Sequence, residues 1–278
     1  MVYNVVRAFM FARSVGDVLV GERGTATSIA VLVFLVFFAI VYGVIFFQDF
    51  EQVSIGVILL SGSLFVTFVL KWIFRLVETV KGTTTGMAGA LNTAIEARDP
   101  DLKGHGQHVR RLTGELYERL PDHMRKQLNR TNLEYAALFH DLGKIGVPEA
   151  ILNKPDKLTP EEWDIVAEHP RIGAEILKPV ASFDVISEWI QYHHERIDGK
   201  GYYGLAGDEI PLGARVVMVA DTFSAMFMQR PYKDAVNYEE CVEELRRSAG
   251  TQLDPEVVDA FCSIPRKTVL ECGQGIIE

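Results

Sequence analysis

The chain has 278 residues and a formal net charge of −9 at pH 7, because 37 acidic side chains outnumber 28 basic ones. This acidity argues against a broad surface for nucleic-acid polymers, although a small anionic substrate can still bind in a locally cationic pocket. The length suits one sizeable domain with an appendage, or two small domains. The three cysteines, Cys241, Cys262 and Cys272, lack CxxC spacing, which favours a reducing compartment and ordinary packing roles.

Two apolar stretches without a charged side chain, 27–47 and 52–70, lie close together near the N-terminus. A helix needs about 20 apolar residues to cross a hydrocarbon core of about 30 Å. The stretches therefore predict a transmembrane hairpin over 27–74, with spans at 27–47 and 52–74. Basic residues before the first span and after the second place both termini in the cytoplasm. The leading segment 1–26 is interpreted as an interfacial amphipathic helix or, equally, as a disordered lead.

The stretch "KGTTTG" at 81–86 is rich in small residues, which indicates a hinge within a linker over 75–90. From residue 91 to residue 278 nearly all local signals are helical, so we expect an all-α domain there. Ala214–Asp221 has the composition of a buried strand, but it continues into a longer apolar run, and a helix is therefore preferred.

Capping residues mark four helix starts in this domain. Thr131 begins a Ser/Thr-x-x-Glu pattern that predicts a capping box, and the helix should end at Gly143. Thr159 begins a second such pattern, followed directly by a proline. Asn237 and Asp254 each precede an acidic first turn, which is typical of helix N-caps.

Histidine and aspartate side chains form a pattern that suggests a metal site. A lone histidine is more often a surface or satisfied core residue than a ligand, and His108 and His123 are interpreted in this way. The other five of the seven histidines occur with two aspartates in contexts that could complete one site. These seven candidates are His105, His140, Asp141, His169, His193, His194 and Asp221.

A set of seven nitrogen and oxygen donors without sulfur exceeds what one four-coordinate zinc ion needs. It suits two divalent ions about 3.5–4 Å apart, and iron or manganese fits this donor set. Lys144, one helical turn after Asp141, could place a cation on a phosphate oxygen. Taken alone, Lys144 is better explained as a solvated lysine near a helix C-terminus.

Seven short motifs in this chain resemble those of the HD-GYP family, a branch of the HD-domain metal phosphohydrolases. The resemblance covers roughly Leu91–Phe261. The motifs are "EARDP" with "GH" at 96–105, "HDLGK" at 140–144, "EHPRIGAEIL" at 168–177, "HHERIDGKGY" at 193–202, "VADTFSAM" at 219–226, "RPYK" at 230–233 and "GTQLDPEVVDAF" at 250–261.

The resemblance implies an enzyme that hydrolyses cyclic di-GMP to linear pGpG, or further to GMP, with two or three metal ions, often iron or manganese. The seven histidines and aspartates above would be the metal ligands, with Asp141 as the bridge. Lys144 would act on the scissile phosphate, Arg230 and Lys233 would hold the substrate phosphates, and Tyr202 would contact the substrate. Because members of that family are bacterial, the predicted hairpin would make this a multi-pass protein of the inner membrane, with the catalytic domain in the cytoplasm.

Four positions depart from the family pattern. Tyr203 stands where the "GYP" motif has proline, which puts the geometry of that loop in doubt. Ser224 stands where the second acid of a "DxxDA" motif is usual. Asp101 stands where members with three metals carry glutamate, so two metals are favoured and Asp101 is the candidate ligand of a third. Leu102 also replaces a usual threonine.

Two other functions stay open at this point. The chain could be an HD phosphohydrolase of another cyclic dinucleotide or nucleotide, because the ligand set does not select a substrate. It could also be a catalytically weak cyclic di-GMP receptor, an alternative suggested by Ser224 and Tyr203. We also predict a homodimer through residues 71–94 and contact with a diguanylate cyclase or another signalling protein. The lipid bilayer is the predicted partner of the hairpin.

Overall fold

The computed structural model describes Ile40 and residues 53–98, 103–228 and 237–276. Twelve α-helices and three short 3-10 turns occur in these residues, and they contain no strand beyond one isolated bridge between Ala249 and Leu253, so the all-α prediction is confirmed. The helices are α1 (Val53–Glu96), α2 (His105–Tyr117), α3 (Asp122–Arg125), α4 (Arg130–Phe139), α5 (Glu149–Leu152), α6 (Pro160–Ala167), α7 (His169–Leu177), α8 (Asp184–Gln191), α9 (Leu212–Phe227), α10 (Tyr238–Ser248), α11 (Pro255–Cys262) and α12 (Arg266–Cys272).

The chain divides into two compact units, Met1–Thr84 and Thr85–Glu278. Residues 1–26 and most of the predicted first span lie outside the described part of the first unit. Helix α1 runs through 81–86 without interruption, so the small residues there do not break the helix. The domain boundaries proposed from the sequence stay predictions.

The predicted transmembrane hairpin is not supported. No helix within the described residues has both the length and the apolar character that a membrane crossing requires. Where the side chains of α1 are described, Ser61 and Ser63 interrupt the apolar run, and Lys71 and Arg75 add charges that are costly in hydrocarbon. The prediction of a multi-pass localisation in the inner membrane is therefore wrong. Contact with a lipid bilayer is not shown.

Helix α9 forms the centre of the second unit. Its residues are mostly apolar around the whole circumference, as expected for a helix that is covered on all sides, and it packs against α2, α4, α8, α10 and α11. Phe223 is fully buried and contacts Phe261 and Phe227, with ring centroids 4.9 and 5.3 Å apart. Burying a side chain of this size stabilises the fold by about 1.5–3 kcal/mol. The helix preference for 214–221 is confirmed.

Three of the four predicted helix starts are confirmed. The Thr159 hydroxyl accepts a hydrogen bond from the Glu162 N–H at 3.3 Å, and the Glu162 carboxylate accepts one from the Thr159 N–H at 2.8 Å. Asn237 and Asp254 each accept a backbone N–H in the first turn of their helices, both at 2.9 Å. These local hydrogen bonds fix where α6, α10 and α11 begin.

The predicted capping box at Thr131 is wrong. Asn129 caps α4 instead, because its side chain accepts the Asn132 N–H at 3.1 Å. Thr131 lies inside α4, which begins at Arg130, and Oε1 of Glu134 accepts a hydrogen bond from the Arg130 guanidinium at 2.9 Å. The helix also ends before the predicted stop, and the chain continues into a 3-10 turn, Leu142–Gly146.

Candidate metal centre

The seven predicted metal ligands lie together in the second unit, although five separate segments of the chain supply them. One donor begins α2, two follow α4, one begins α7, two follow α8, and one lies in the middle of α9. Two groups of three have donor atoms within 4.8 Å of one another; these are His105, His140 and Asp141, and His169, His193 and His194. The imidazoles of His140 and His193 join the two groups, with ring centroids 5.2 Å apart.

The position of His169 depends on a break in the chain that the sequence did not reveal. The helix that starts at Thr159 ends at Ala167, and His169 begins the next helix, α7. Gly143 makes the contact between the turn after Asp141 and the start of α7. A Cβ atom at this position would lie 1.7 Å from the carbonyl oxygen of His169, so no larger residue fits without moving the backbone.

Each carboxylate of the cluster lies between two imidazoles. Asp221 Oδ1 is 3.0 Å from Nε2 of His105 and 3.6 Å from Nε2 of His140. Asp141 lies 3.4 Å from Nε2 of His140 through Oδ2, and 3.4 Å from Nε2 of His169 through Oδ1. Asp141 therefore lies between the two groups of donors, whereas Asp221 contacts two histidines of the first group.

Three of the imidazoles are oriented in the way that metal-ligating histidines usually are. In His140, His169 and His193, Nδ1 bonds the carbonyl oxygen three residues earlier at 2.6–2.8 Å, which places the ring proton on Nδ1. Their Nε2 atoms are buried and have no hydrogen-bond partner among the described residues. A buried polar atom without a partner is costly, and a cation at the Nε2 lone pairs would remove that cost.

The charges of the cluster also favour a cation. Burial holds the pKa of His169 down at about 3, and burial lowers the pKa of His193 and His194 as well, so these rings are neutral at pH 7 and are suited to bind a cation. Burial opposes a charge on His140 too, but the neighbouring carboxylates Asp141 and Asp221 raise its pKa to about 9. A metal ion at Nε2 of His140 would take the place of this proton.

Both carboxylates stay ionised although burial opposes it. Lys144 and His140 hold the pKa of Asp141 well below its ordinary value. His140 and His105 do the same for the pKa of Asp221. Two anionic carboxylates with five imidazoles, and no sulfur ligand among them, fit a site for two divalent cations.

Lys144 lies beside the cluster rather than in solvent. Its Nζ donates to Asp141 Oδ2 at 2.9 Å, and only 19% of the side chain is exposed. The guanidinium of Arg98 donates to the carbonyl oxygens of Ile145 and Val147 and so holds the 3-10 turn that carries this lysine.

His108 takes part in the site although its sequence context did not indicate it. Ser224 Oγ lies 3.0 Å from His105 Nδ1 and 2.8 Å from His108 Nδ1, and it is 3.5 Å from Met228 Sδ. The hydroxyl can accept from both imidazoles and donate to the sulfur, so Ser224, which stands in the place of the second acid of the family motif, is positioned to orient both rings. Burial lowers the pKa of His108 to about 4, which keeps this ring neutral. The i, i+3 spacing of the two histidines was the available signal.

Glu195 is the other residue that sequence reasoning missed. Its side chain is buried, and its two oxygens accept the backbone N–H groups of Tyr203 and Leu205, each at 2.7 Å. A proline at position 203 has no N–H to donate, so the departure from the "GYP" pattern adds a hydrogen bond to this loop. The loop places the Tyr202 ring 4.9 Å from the ring of His194.

Three of the predicted site residues lie outside the described part of the chain. These are Asp101, the candidate ligand for a third metal, and Arg230 and Lys233, the candidate phosphate-binding residues. Their roles stay predictions.

Comparison with known proteins decides the family. The sequence pattern of the HD domain matches residues 90–257, which is more than half of the chain. The chain belongs to the HD-domain family. All seven candidate ligands of the cluster lie within the matched HD domain.

Curated relatives of this HD domain include several phosphodiesterases. A cyclic di-GMP phosphodiesterase of Thermotoga maritima is 39% identical over 64% of this chain and 48% of its own length. A probable cyclic di-GMP phosphodiesterase of Vibrio cholerae is 37% identical over 62% of this chain and 42% of its own length. The 3'3'-cGAMP-specific phosphodiesterase 3 of the same bacterium is 35% identical over 62% of this chain and 37% of its own length. This chain spans less than half of the length of each of these relatives.

Proposed function

We propose that the HD domain of this chain is of the HD-GYP type and hydrolyses cyclic di-GMP to linear pGpG in a metal-dependent reaction. The observation that carries the proposal is the cluster of five imidazoles and two carboxylates, in which three buried Nε2 atoms have no partner among the described residues. The names of the relatives support the substrate class.

The two halves of the cluster suggest two cation positions. His105, His140 and Asp221 would hold one ion, while His169, His193 and His194 would hold the other, and Asp141 lies between the two sets. When bound, divalent ions such as iron or manganese would activate water at neutral pH and polarise the phosphoryl oxygens. A third ion at Asp101 remains a prediction.

Two side chains beside the cluster are suited to contact the scissile phosphate. Lys144 would turn its ammonium group from Asp141 towards a phosphate oxygen and offset the negative charge that develops there. Burial first, and then the carboxylates Asp141 and Asp221, raise the pKa of Tyr202 to about 12. Tyr202 therefore keeps its proton at neutral pH and can donate a hydrogen bond to the substrate. Arg230 and Lys233 are kept as predicted partners of the remaining phosphate oxygens.

The proposal is tested by loading the purified protein with Fe²⁺ or Mn²⁺ under anaerobic conditions and adding cyclic di-GMP. We expect linear pGpG in the product chromatogram, and GMP as well if the domain also cleaves the linear product. His193→Ala should lose both metal and turnover, while His123→Ala, an exposed histidine outside the cluster, should lose neither. A protein that carries two metal ions and yields no product would refute the proposal.

A related substrate is the second candidate, because a relative at 35% identity is named for 3'3'-cGAMP. Competition between the two cyclic dinucleotides for the metal-loaded protein separates these substrates. If the protein binds a cyclic dinucleotide tightly without product, it acts as a receptor. A homodimer and a diguanylate cyclase partner remain predictions, and the oligomeric state can be measured by light scattering on the same preparation.

A further inference from the structure

Helix α6 exposes a large aromatic side chain that is not buried in the core of the unit. None of the residues of α6, all of which the structure describes, is buried. Trp163 is 51% exposed, which leaves much of its apolar surface in water. An exposed tryptophan is compatible with a structural role, but its neighbours suggest another one.

Trp163 stands in a row of rings that leads away from the metal centre. The ring of His194 contacts that of Tyr202, with centroids 4.9 Å apart and planes at 40°. Tyr202 in turn meets Trp163 edge to face, with centroids 6.5 Å apart and planes at 82°. Two ring-to-ring steps therefore connect a candidate metal ligand to a half-exposed tryptophan ring.

The position of Trp163 is fixed although α6 buries no residue. Lys154 donates to both carboxylate oxygens of Glu162, at 2.9 and 2.6 Å, next to the capping box of Thr159. The backbone N–H of Trp163 donates to the carbonyl oxygen of Thr159 at 2.9 Å. The helix start is thus held by side-chain and backbone hydrogen bonds, which fix the backbone that carries the half-exposed indole.

We propose that Trp163 stacks on a nucleobase of the cyclic dinucleotide while the phosphate lies at the metal centre. This inference rests on the proposed function, because it assumes that the substrate carries bases. Stacking on an aromatic face tolerates any base, so Trp163 adds affinity without choosing between guanine and adenine. Choice between cyclic di-GMP and 3'3'-cGAMP must then come from other contacts.

Trp163→Ala tests the inference through the split between KM and kcat. Removal of one stacking ring should raise KM by roughly 5- to 100-fold, and by a similar factor for both cyclic dinucleotides. The value of kcat and the metal content should stay within about twofold, since Trp163 contacts no candidate metal ligand. Trp163→Phe should recover most of the affinity. Ile165→Ala is the matched control, because Ile165 lies on the same helix with 41% exposure.

The fluorescence of Trp163 gives a second measurement. The chain has three tryptophans, so the Trp163 signal is assigned as the difference between the wild type and Trp163→Phe. Cyclic di-GMP should quench this signal on mixing, before turnover. Unchanged KM in Trp163→Ala, or a loss no larger than that of Ile165→Ala, would overturn the inference while wild-type turnover still upholds the proposed function.

The opposite combination is also informative. If the metal-loaded wild type yields no product but cyclic di-GMP quenches Trp163, the phosphodiesterase proposal fails and the stacking site stands. If neither product nor quenching is seen, both proposals fail.

Discussion

Replacing Ser224 by alanine tests whether this hydroxyl orients the metal centre. The substitution removes the acceptor that lies 3.0 Å from His105 Nδ1 and 2.8 Å from His108 Nδ1. His108 has no alternative hydrogen-bond acceptor, because its Nε2 is also buried without a partner among the described residues. His105 can change tautomer in the absence of metal, since its Nε2 lies 3.0 Å from Asp221 Oδ1 and could donate there.

The expected losses follow from this difference between the two rings. Without metal, Ser224→Ala leaves one buried imidazole N–H unsatisfied, which should lower the free energy of unfolding by about 1–3 kcal/mol. With metal, Nε2 of His105 must stay unprotonated, so its Nδ1–H is unsatisfied as well. Metal affinity should therefore fall by roughly 10- to 100-fold, as is usual when the partner of a metal-ligating histidine is removed.

The assay combines urea unfolding of the chelator-treated protein with chelator competition on the metal-loaded protein. Ser187→Ala is the control, because the Ser187 hydroxyl is also buried but has no hydrogen-bond partner among the described residues. Its removal should leave stability and metal affinity nearly unchanged. Equal behaviour of the two alanine variants in both measurements would refute the orienting role of Ser224.

Three further perturbations address the rest of the site. Gly143→Ala should lower metal content at least tenfold, since its Cβ would lie 1.7 Å from the carbonyl oxygen of His169. In the control variant Gly146→Ala, the new Cβ meets only an isoleucine side chain at 3.0 Å, so this variant should keep its metal. Elemental analysis of both variants measures the metal content. Lys144→Met should lower kcat by roughly 100-fold with the metal content unchanged, and an equal loss of metal would contradict its placement on substrate. Glu195→Ala should lower the free energy of unfolding by about 1–3 kcal/mol and raise KM, because two partly buried N–H groups lose their acceptor and the loop of the candidate substrate-binding tyrosine is released. Thermal unfolding and steady-state kinetics give the two values.

The hydropathy of the chain was a poorer guide to its structure than the capping residues at helix starts. The apolar composition near the N-terminus favoured a membrane hairpin, but the described part of α1 does not provide a helix that could cross a membrane. Capping was more reliable, because the hydrogen bond from Thr159, Asn237 or Asp254 involves only residues within one turn. At Thr131 the same reasoning was wrong, since Thr131 lies inside α4 and Asn129 caps that helix instead.

The sequence by itself determined which residue types could form a metal centre. Five histidines and two aspartates in family motifs predicted a cluster, because imidazole and carboxylate are the donors that iron and manganese use. The sequence also marked Ser224 and Tyr203 as departures. It did not say what those residues would contact, since their partners are far away along the chain.

Tertiary structure decided the orientation of each donor and the residues that support it. The Nε2 atoms of His140, His169 and His193 face inward because their Nδ1 atoms bond backbone carbonyls, a detail that depends on how each helix ends or begins. The contact of Ser224 with His108 joins α9 to α2 across more than one hundred residues of sequence. Such contacts arise only when helices pack, which is why sequence alone predicted the ligands but not the groups that hold them in place.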